Sequence, residues 1–236
     1  MQFMPNQAMG YDRAITMFSP DGRLLQVEYA KKAVSLGATV IGIVAKDCVI
    51  IAADRYRTDK LLIQNSVSKV FNIDDYIVLG SSGFMSDARI LVRRARVRAQ
   101  QHKLTYGENI ETESIVKYIA DLKQAYTQYG GARPFGISLL VGGVTKKPKL
   151  FLTEPSGSYF EYKAKAIGTK SDEANKLLEK NYKENMSQEE ATRLAISIFK
   201  KTQGKEFNIE RLEVAIATAS EIKTLSEAKL KKMKNE

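Results

Sequence analysis

The sequence predicts an α+β fold, a four-layer α/β/β/α sandwich of two antiparallel sheets with an extra helix ahead of the first strand. Two apolar runs, Thr39–Ala45 and Cys48–Asp54, are rich in β-branched residues and are separated only by Lys46-Asp47, as in an antiparallel hairpin. Both runs are apolar on nearly every residue, so both faces of their sheet should be covered. Helices are predicted in pairs between the strand blocks, which favours a helix layer on each outer face.

The first helix follows a turn. Ser19-Pro20-Asp21-Gly22 is a strong turn signal because proline pre-sets φ, and Asp and Gly tolerate the rest of the turn. Apolar residues then recur at helical spacing from Arg23 to Leu36, and Gly37 stands where a glycine commonly ends a helix. Residues 1–10 show no periodicity, which is typical of a mobile tail.

The remaining elements follow in chain order. Lys69–Ile73 and Tyr76–Leu79 predict a second hairpin, closed by residues 80–83. Amphipathic spacing predicts two long helices, the second with Tyr118, Leu122 and Tyr126 on its buried face. Arg211–Thr218 alternates apolar and polar residues like a half-buried strand. The other predicted elements are helices at 84–102, 112–126, 172–182, 187–202 (opened by a Ser187 capping box) and 226–234, and strands at 136–143, 149–153 and 158–162.

Composition excludes several classes of protein. The chain has 236 residues, of which 44% are hydrophobic, so one domain spanning 1–236 with a sizeable core is expected. No apolar run approaches the ~20 residues of a membrane span, and the first residues do not resemble a secretory signal. The lone cysteine, Cys48, favours a reducing compartment, so we expect a cytoplasmic protein. With one cysteine and one histidine, no metal or other cofactor is expected.

A net charge of +10 raises the question of a nucleic-acid partner. The arginines of residues 89–98 are dense, but no aromatic residues interleave with them and no nucleic-acid motif is present. We therefore interpret this segment as a solvated helix face or as an interface between subunits, and the lysines of 229–234 as a solvated helix end. Neither nucleic acid nor membrane is an expected partner.

Two blocks of the sequence resemble a known family. Tyr-Asp-Arg-Ala-Ile-Thr at 11–16, with the matching segments 18–24 and 26–30, resembles the N-terminal signature of proteasome core-particle α subunits, most closely the archaeal kind. A second block lies at 126–136. The resemblance implies the fold of N-terminal-nucleophile hydrolases, with a gate tail at 1–10, a turn and helix at 11–37 and the sandwich at 38–236. It also implies a homo-heptameric ring that caps proteasome β subunits, controls the entry of unfolded proteins and docks a regulatory ATPase.

The resemblance also bears on catalysis. In the catalytic β subunits the first strand begins with a threonine nucleophile, whose own amine serves as the base. Alignment on Gly42 puts Ala38 at that position, while Thr39 comes one residue late and faces the opposite side of the strand. Asp54 matches the family's catalytic acid. We favour a structural role for it, an ion pair with Arg55 at the end of the strand. We expect a non-catalytic subunit, and an autonomous threonine hydrolase is the alternative.

The resemblance implies three sets of site residues. Lys69 lies at or beside the catalytic lysine of the β subunits, and in α rings a lysine here pairs with the carboxylate of an activator tail. Each set has an ordinary alternative. Lys69 could be an exposed lysine at a strand start, Tyr11 a packing aromatic residue, and the loop at 129–133 a plain helix–strand connector. The implied residues are Lys69 and Gly37 for activator-tail binding, Tyr11, Asp12, Pro20 and Tyr29 for the gate, and Tyr129, Gly130, Gly131 and Arg133 for the pore rim.

Overall fold

The computed structural model describes residue 14 and residues 16–55, 61–63 and 66–235. In chain order the elements are α1 (Leu25–Ser35), β1 (Val40–Val44), β2 (Val49–Asp54), β3 (Val70–Asp74), β4 (Ile77–Gly83), α2 (Met85–Tyr106), α3 (Thr112–Gln128), β5 (Ile137–Val144), β6 (Pro148–Thr153), β7 (Tyr159–Tyr162), β8 (Ala164–Ile167), α4 (Ser171–Asn181), α5 (Gln188–Gln203), β9 (Leu212–Ala217), β10 (Ile222–Thr224) and α6 (Glu227–Asn235). Two 3-10 turns, Gly204–Glu206 and Ile209–Arg211, join α5 to β9.

The strands form two antiparallel sheets of five strands each. The first sheet has the order β10-β9-β2-β1-β8, and the second has the order β3-β4-β5-β6-β7. The predicted hairpins are confirmed, with Val44 opposite Val49 in the first and Val70 opposite Gly80 in the second. None of the helices in the described part of the chain is long and apolar enough to cross a bilayer.

Three apolar clusters define the four layers. Side chains alternate across each strand, so Val40 faces the second sheet while Ile41 and Ile43 face outward. The outward face of the first sheet packs on α4, α5 and α6, the second sheet packs on α2 and α3, and a third cluster fills the space between the sheets. The predicted four-layer sandwich is therefore confirmed.

The extra helix lies against the second sheet, with Val27, Ala30 and Val34 buried. Gly37 follows it, but its φ is not positive and the residue does not end the helix by left-handed geometry. A Cβ at Gly37 would lie 2.5 Å from the Gly83 nitrogen, so the glycine is required by the close approach of β4.

Several predicted details are wrong, and most of them because the sheets are larger and more buried than the pattern indicated. Residues 80–83 continue β4 instead of closing a hairpin, and the short strands β8 and β10 were not predicted. The last long strand, β9, is covered on both faces, since Val214 packs on the helices and Ala215 packs between the sheets. In α3 the buried face is rotated, so that Tyr118 and Leu122 are only half-buried and Tyr126 is exposed.

Candidate functional site

A cavity opens where the two sheets, the end of α1 and the end of α5 meet. It has a volume of about 500 Å³, and its walls include Asp54 at the end of β2, Lys69 just before β3 and Gln203 at the end of α5. The charged and polar residues that define this cavity, hereafter the Lys69 cavity, are Thr39, Asp54, Lys69, Thr169, Lys170, Gln203, Glu206 and Arg211, with Ala38 beside them. The structure thus brings together Ala38, Asp54 and Lys69, which lie far apart in the sequence.

Asp54 is held in the Lys69 cavity by three donated hydrogen bonds. Arg211 donates from Nε to Oδ1 over 3.0 Å and from Nη2 to Oδ2 over 2.5 Å, and the Gln203 amide nitrogen donates to Oδ2 over 2.9 Å. The expected pair with Arg55 is wrong, because the Arg55 guanidinium donates to the carbonyl of Glu210 instead. A carboxylate at the end of one strand can pair with any cation that a distant segment brings, so the sequential neighbour was a poor guide.

Thr39 lines the same cavity as Ala38, and its hydroxyl is hydrogen-bonded in the cavity wall. Thr39 is buried, and its Oγ1 donates to the carbonyl oxygen of Thr169. The backbone carbonyl of the same residue accepts from the amide of Asp54 over 3.0 Å, in register with β1 and β2. Thr39 is therefore a wall residue whose hydroxyl is occupied by the segment that leads into α4.

Lys69 is buried, with 5% of its surface exposed, so the alternative of an exposed lysine at a strand start is wrong. Its main chain is bonded on both sides: Glu213 accepts from the amide nitrogen over 2.9 Å, and Ser81 donates from its own amide to the carbonyl over 3.0 Å. The side chain lines the cavity. A lysine on a fixed backbone in a partly enclosed space is suited to bind an anion.

Gly37 and its neighbours are tied to the cavity wall. Thr169 donates from its backbone nitrogen over 2.7 Å and from Oγ1 over 2.8 Å to the Gly37 carbonyl. Ser82 donates to the carbonyls of Val34 and Ala38 over 3.2 and 3.1 Å. The link between α1 and β1 is thereby fixed beside the Lys69 cavity.

The turn before α1 is present. The amide of Gly22 donates to the Ser19 carbonyl over 2.8 Å, Gly22 has a φ of +72°, and Pro20 is exposed between them. Tyr29, on α1, is 51% exposed. Tyr11 and Asp12, the other two predicted gate residues, lie outside the described residues. The gate cluster therefore stays a prediction.

The predicted pore-rim loop is anchored to α2. Arg133 makes two hydrogen bonds of 2.7 Å to the carboxylate of Asp87, which also accepts from the amide of Gly136 over 2.9 Å. Burial raises the pKa of Asp87, but these hydrogen bonds outweigh burial and hold the pKa below its usual value. Gly131 has a φ of +81° and Tyr129 is 64% exposed. The loop is thus a fixed structure with an exposed aromatic tip.

The arginine-rich face of α2 is solvated where it is not bonded. Arg89, Arg93 and Arg94 are exposed, while Arg96 donates from Nε to the carbonyl of Asn72 over 2.8 Å. Arg98 lies 5.9 Å from the ring centre of Tyr118 on α3. Arg96 and Arg98 thus contact neighbouring elements, while Arg89, Arg93 and Arg94 stay exposed to solvent.

Sequence reasoning missed the most deeply buried charge of the described chain. Lys123 has no exposed surface and donates from Nζ to the carbonyls of Ile137 and Thr153, over 3.0 and 3.1 Å, and to the Thr153 hydroxyl over 2.8 Å. Burial lowers its pKa to about 7. The signal was available, because Ile115, Ile119 and Lys123 follow each other at intervals of four on one helix face. Glu213 was missed as well, although it is the single charge of β9.

Two family models together match most of this chain. A family model described as "Proteasome subunit" matches residues 34–217, and a second model, which describes the N-terminal signature of A-type proteasome subunits, matches residues 11–33. The chain belongs to the family of α-type proteasome subunits. The proteasome alpha subunit of Pyrococcus horikoshii is 51% identical over 238 residues, which cover 100% of this chain and 91% of the relative.

Two further α-type relatives give the same result. The proteasome alpha subunit of Thermococcus sibiricus is 51% identical over 94% of this chain and 85% of its own length. That of Methanococcus vannielii is 51% identical over 89% of this chain and 81% of its own length. The predicted resemblance to α-type subunits of the archaeal kind is confirmed, and the α type is the non-catalytic class of proteasome subunit.

Proposed function

We propose that this chain is a non-catalytic subunit of a proteasome core particle, and that it forms the heptameric outer ring that caps the β subunits and controls the entry of unfolded proteins. The observation that carries the non-catalytic part is the Lys69 cavity. Ala38 offers no nucleophile, and the hydroxyl of Thr39 is bonded to Thr169. Asp54, which matches the family's catalytic acid, accepts three hydrogen bonds from Arg211 and Gln203 and is therefore engaged with these two residues rather than with a nucleophile.

We further propose that the Lys69 cavity binds the C-terminal carboxylate of a regulatory ATPase tail. The support is its charge: Lys69, Lys170 and Arg211 outnumber the two carboxylates of the wall, Asp54 and Glu206. Gly37 lies next to this wall, where a larger residue would collide with β4. An anion that enters a partly enclosed, net-cationic cavity forms charge-assisted bonds that are stronger than those on an open surface.

The gate proposal rests on α1. The Pro20 turn stands at one end of this helix and the Lys69 cavity at the other, and 11 helical residues span about 16 Å. We propose that tail binding shifts this turn and with it residues 1–10, which changes the population of open and closed tails. Tyr29 and, by family resemblance, Tyr11 and Asp12 would hold the open state. The exposed Tyr129 and the bonded Arg133 would form the rim with Gly130 and Gly131.

Tail binding is tested with the full chain in its assembled form. A labelled peptide that copies the C-terminus of the ATPase of the same organism should bind, and its C-terminal amide should bind at least about tenfold more weakly, since one charge-assisted bond is lost. Lys69→Met should weaken the free-acid peptide similarly. Lys229→Met, a change at an exposed lysine of α6, is the matched control and should have no effect. Equal binding of the acid and the amide would refute the carboxylate site.

The non-catalytic assignment has its own test. The purified chain should run as a ring-sized oligomer and should not cleave a fluorogenic peptide until β subunits are added. Turnover by the chain alone that disappears with Thr39→Ala would favour the threonine hydrolase alternative. A chain that stays monomeric under all conditions, with or without β subunits, would contradict the ring.

A further inference from the structure

We infer that Glu213 is a positioning residue for the Lys69 cavity, acting through the main chain of Lys69. This inference rests on the proposed tail-binding function. Glu213 lies on β9 of the first sheet, while Lys69 immediately precedes β3 of the second sheet. One carboxylate therefore links the two sheets at the edge where the cavity opens.

The direction of the Glu213 side chain follows from strand parity. Glu213 stands opposite Ala53 in the β2–β9 register, and both Ala53 and Ala215 belong to the cluster between the sheets. Glu213 shares their face of the sheet, so its side chain leaves the first sheet toward the second. A charge in the space between two sheets is costly unless polar groups surround it.

The contacts of Glu213 all lie on one short segment. Oε2 accepts from the amides of Lys69 and Val70 over 2.9 and 3.3 Å, and the Ser68 hydroxyl lies 2.5 Å from Oε1. A carboxylate that accepts two successive amides fixes the path of the backbone between them. The carboxylate thus has a complete set of donors from the start of β3.

Ser81 closes the other side of Lys69. Its amide and its hydroxyl donate to the Lys69 carbonyl over 3.0 and 3.3 Å. The peptide groups on both sides of the Lys69 Cα are therefore fixed, one by the first sheet and one by β4. The Lys69 side chain is buried in the cavity wall, so the position of its Cα sets where its ammonium can lie. The rigid backbone would lower the entropy cost of binding an anion.

Neutralising Glu213 tests this inference. In Glu213→Gln the side chain keeps its length, but an amide has one acceptor and also two donors, which conflict with the backbone amides of Lys69 and Val70. We expect the Kd of the free-acid tail peptide to rise about tenfold in the assembled ring, at a temperature where circular dichroism shows native structure. Glu221→Gln, at an exposed glutamate paired with Lys223, is the matched control and should bind normally.

A double-mutant cycle separates positioning from general destabilisation. If Glu213 acts through Lys69, then Glu213→Gln should add nothing to the binding loss of Lys69→Met, whereas independent effects would multiply. Ser68→Ala serves as a second variant should Glu213→Gln fail to fold, and it should give a smaller loss that is again absent in the Lys69→Met background.

Each outcome decides between the two proposals. Glu213→Gln that binds like the wild type, or that weakens binding equally with and without Lys69, overturns the positioning role and leaves the tail site intact. A wild-type ring that binds the acid and the amide alike overturns the tail site and the positioning role together. Loss that appears only when Lys69 is present supports both.

Discussion

The buried amine of Lys123 should make the stability of this protein rise with pH in a window where few other groups titrate. Nζ is enclosed by α3 and the ends of β5 and β6, and its three contacts are two carbonyls and a hydroxyl. The facing carboxylates of Glu154 and Asp87 favour the charged form, but burial outweighs them and lowers the pKa to about 7. The neutral amine also fits, because it can donate to both carbonyls and accept from the Thr153 hydroxyl.

The sign follows from proton binding. The pKa of Lys123 is about 7 in the folded chain and 10.5 in its ordinary state. Between these values the unfolded chain binds more protons, so the free energy of unfolding increases with pH by at most about 1.4 kcal/mol per pH unit. Below the folded pKa the amine is charged in both states and the gain is lost. From pH 6 to pH 9 the Lys123 contribution amounts to roughly 2–3 kcal/mol.

Urea unfolding of the wild type and of Lys123→Met at pH 6, 7, 8 and 9 measures this contribution. The chain has no tryptophan, so far-UV circular dichroism is the appropriate signal. All samples need the same protein concentration, because ring assembly would add to stability. The stability of the wild type relative to Lys123→Met should rise by roughly 2–3 kcal/mol over this range.

Lys117→Met is the control on the same helix, since Lys117 is exposed, and its bond to Glu113 raises its pKa and keeps it charged throughout. Its pH dependence should match that of the wild type. Parallel pH profiles for the wild type and Lys123→Met would refute the reasoning, because they would mean that Lys123 keeps its proton on folding across the whole range.

Three further substitutions and one control, Gly130→Ala, test individual stabilising contacts by thermal or urea denaturation. Asp54→Ala leaves the largely buried guanidinium of Arg211 without its carboxylate and should cost about 3 kcal/mol; no loss would mean that solvent reaches the pair. Gly83→Ala should cost about 3 kcal/mol, since its φ is +120° and a Cβ would lie 2.2 Å from a backbone oxygen, while Gly130→Ala, with open space around it, should stay within about 0.5 kcal/mol. Ser187→Ala removes the capping-box bond of α5 and should cost about 1 kcal/mol, so an unchanged midpoint would show that this cap contributes nothing.

The layers of this fold could be predicted because its strongest signals are local. The β1–β2 hairpin needs only two apolar runs and a short turn, and the Ser187 capping box is a contact between residues three apart. The strands β8 and β10 could not be predicted, since they have four and three residues and little alternation of their own. Their strand conformation depends on pairing with β1 and β9, which is information from distant parts of the chain.

The candidate site was predicted only in part for the same reason. Lys69 and Asp54 were identified because the family resemblance singled them out. Their partners came from elsewhere: Arg211 and Glu213 lie more than 140 residues away, as the separations of 157 and 144 show. Polar pairing between sheets has no periodicity in the sequence, so a pattern can predict that a strand is buried and still miss the charge that holds it in place.

The same pairing bears on how an enzyme-like cavity can serve a proposed binding role. A catalytic acid or base has to exchange partners during a reaction, whereas Asp54 here is fixed by Arg211 and Gln203, and Thr39 by Thr169. A change of partner at Asp54 or Thr39 would break these hydrogen bonds. Residues so engaged shape a cavity whose wall carries three cationic side chains, Lys69, Lys170 and Arg211, against the two carboxylates of Asp54 and Glu206. Under the proposed function, these wall charges bind an anion and carry out no reaction.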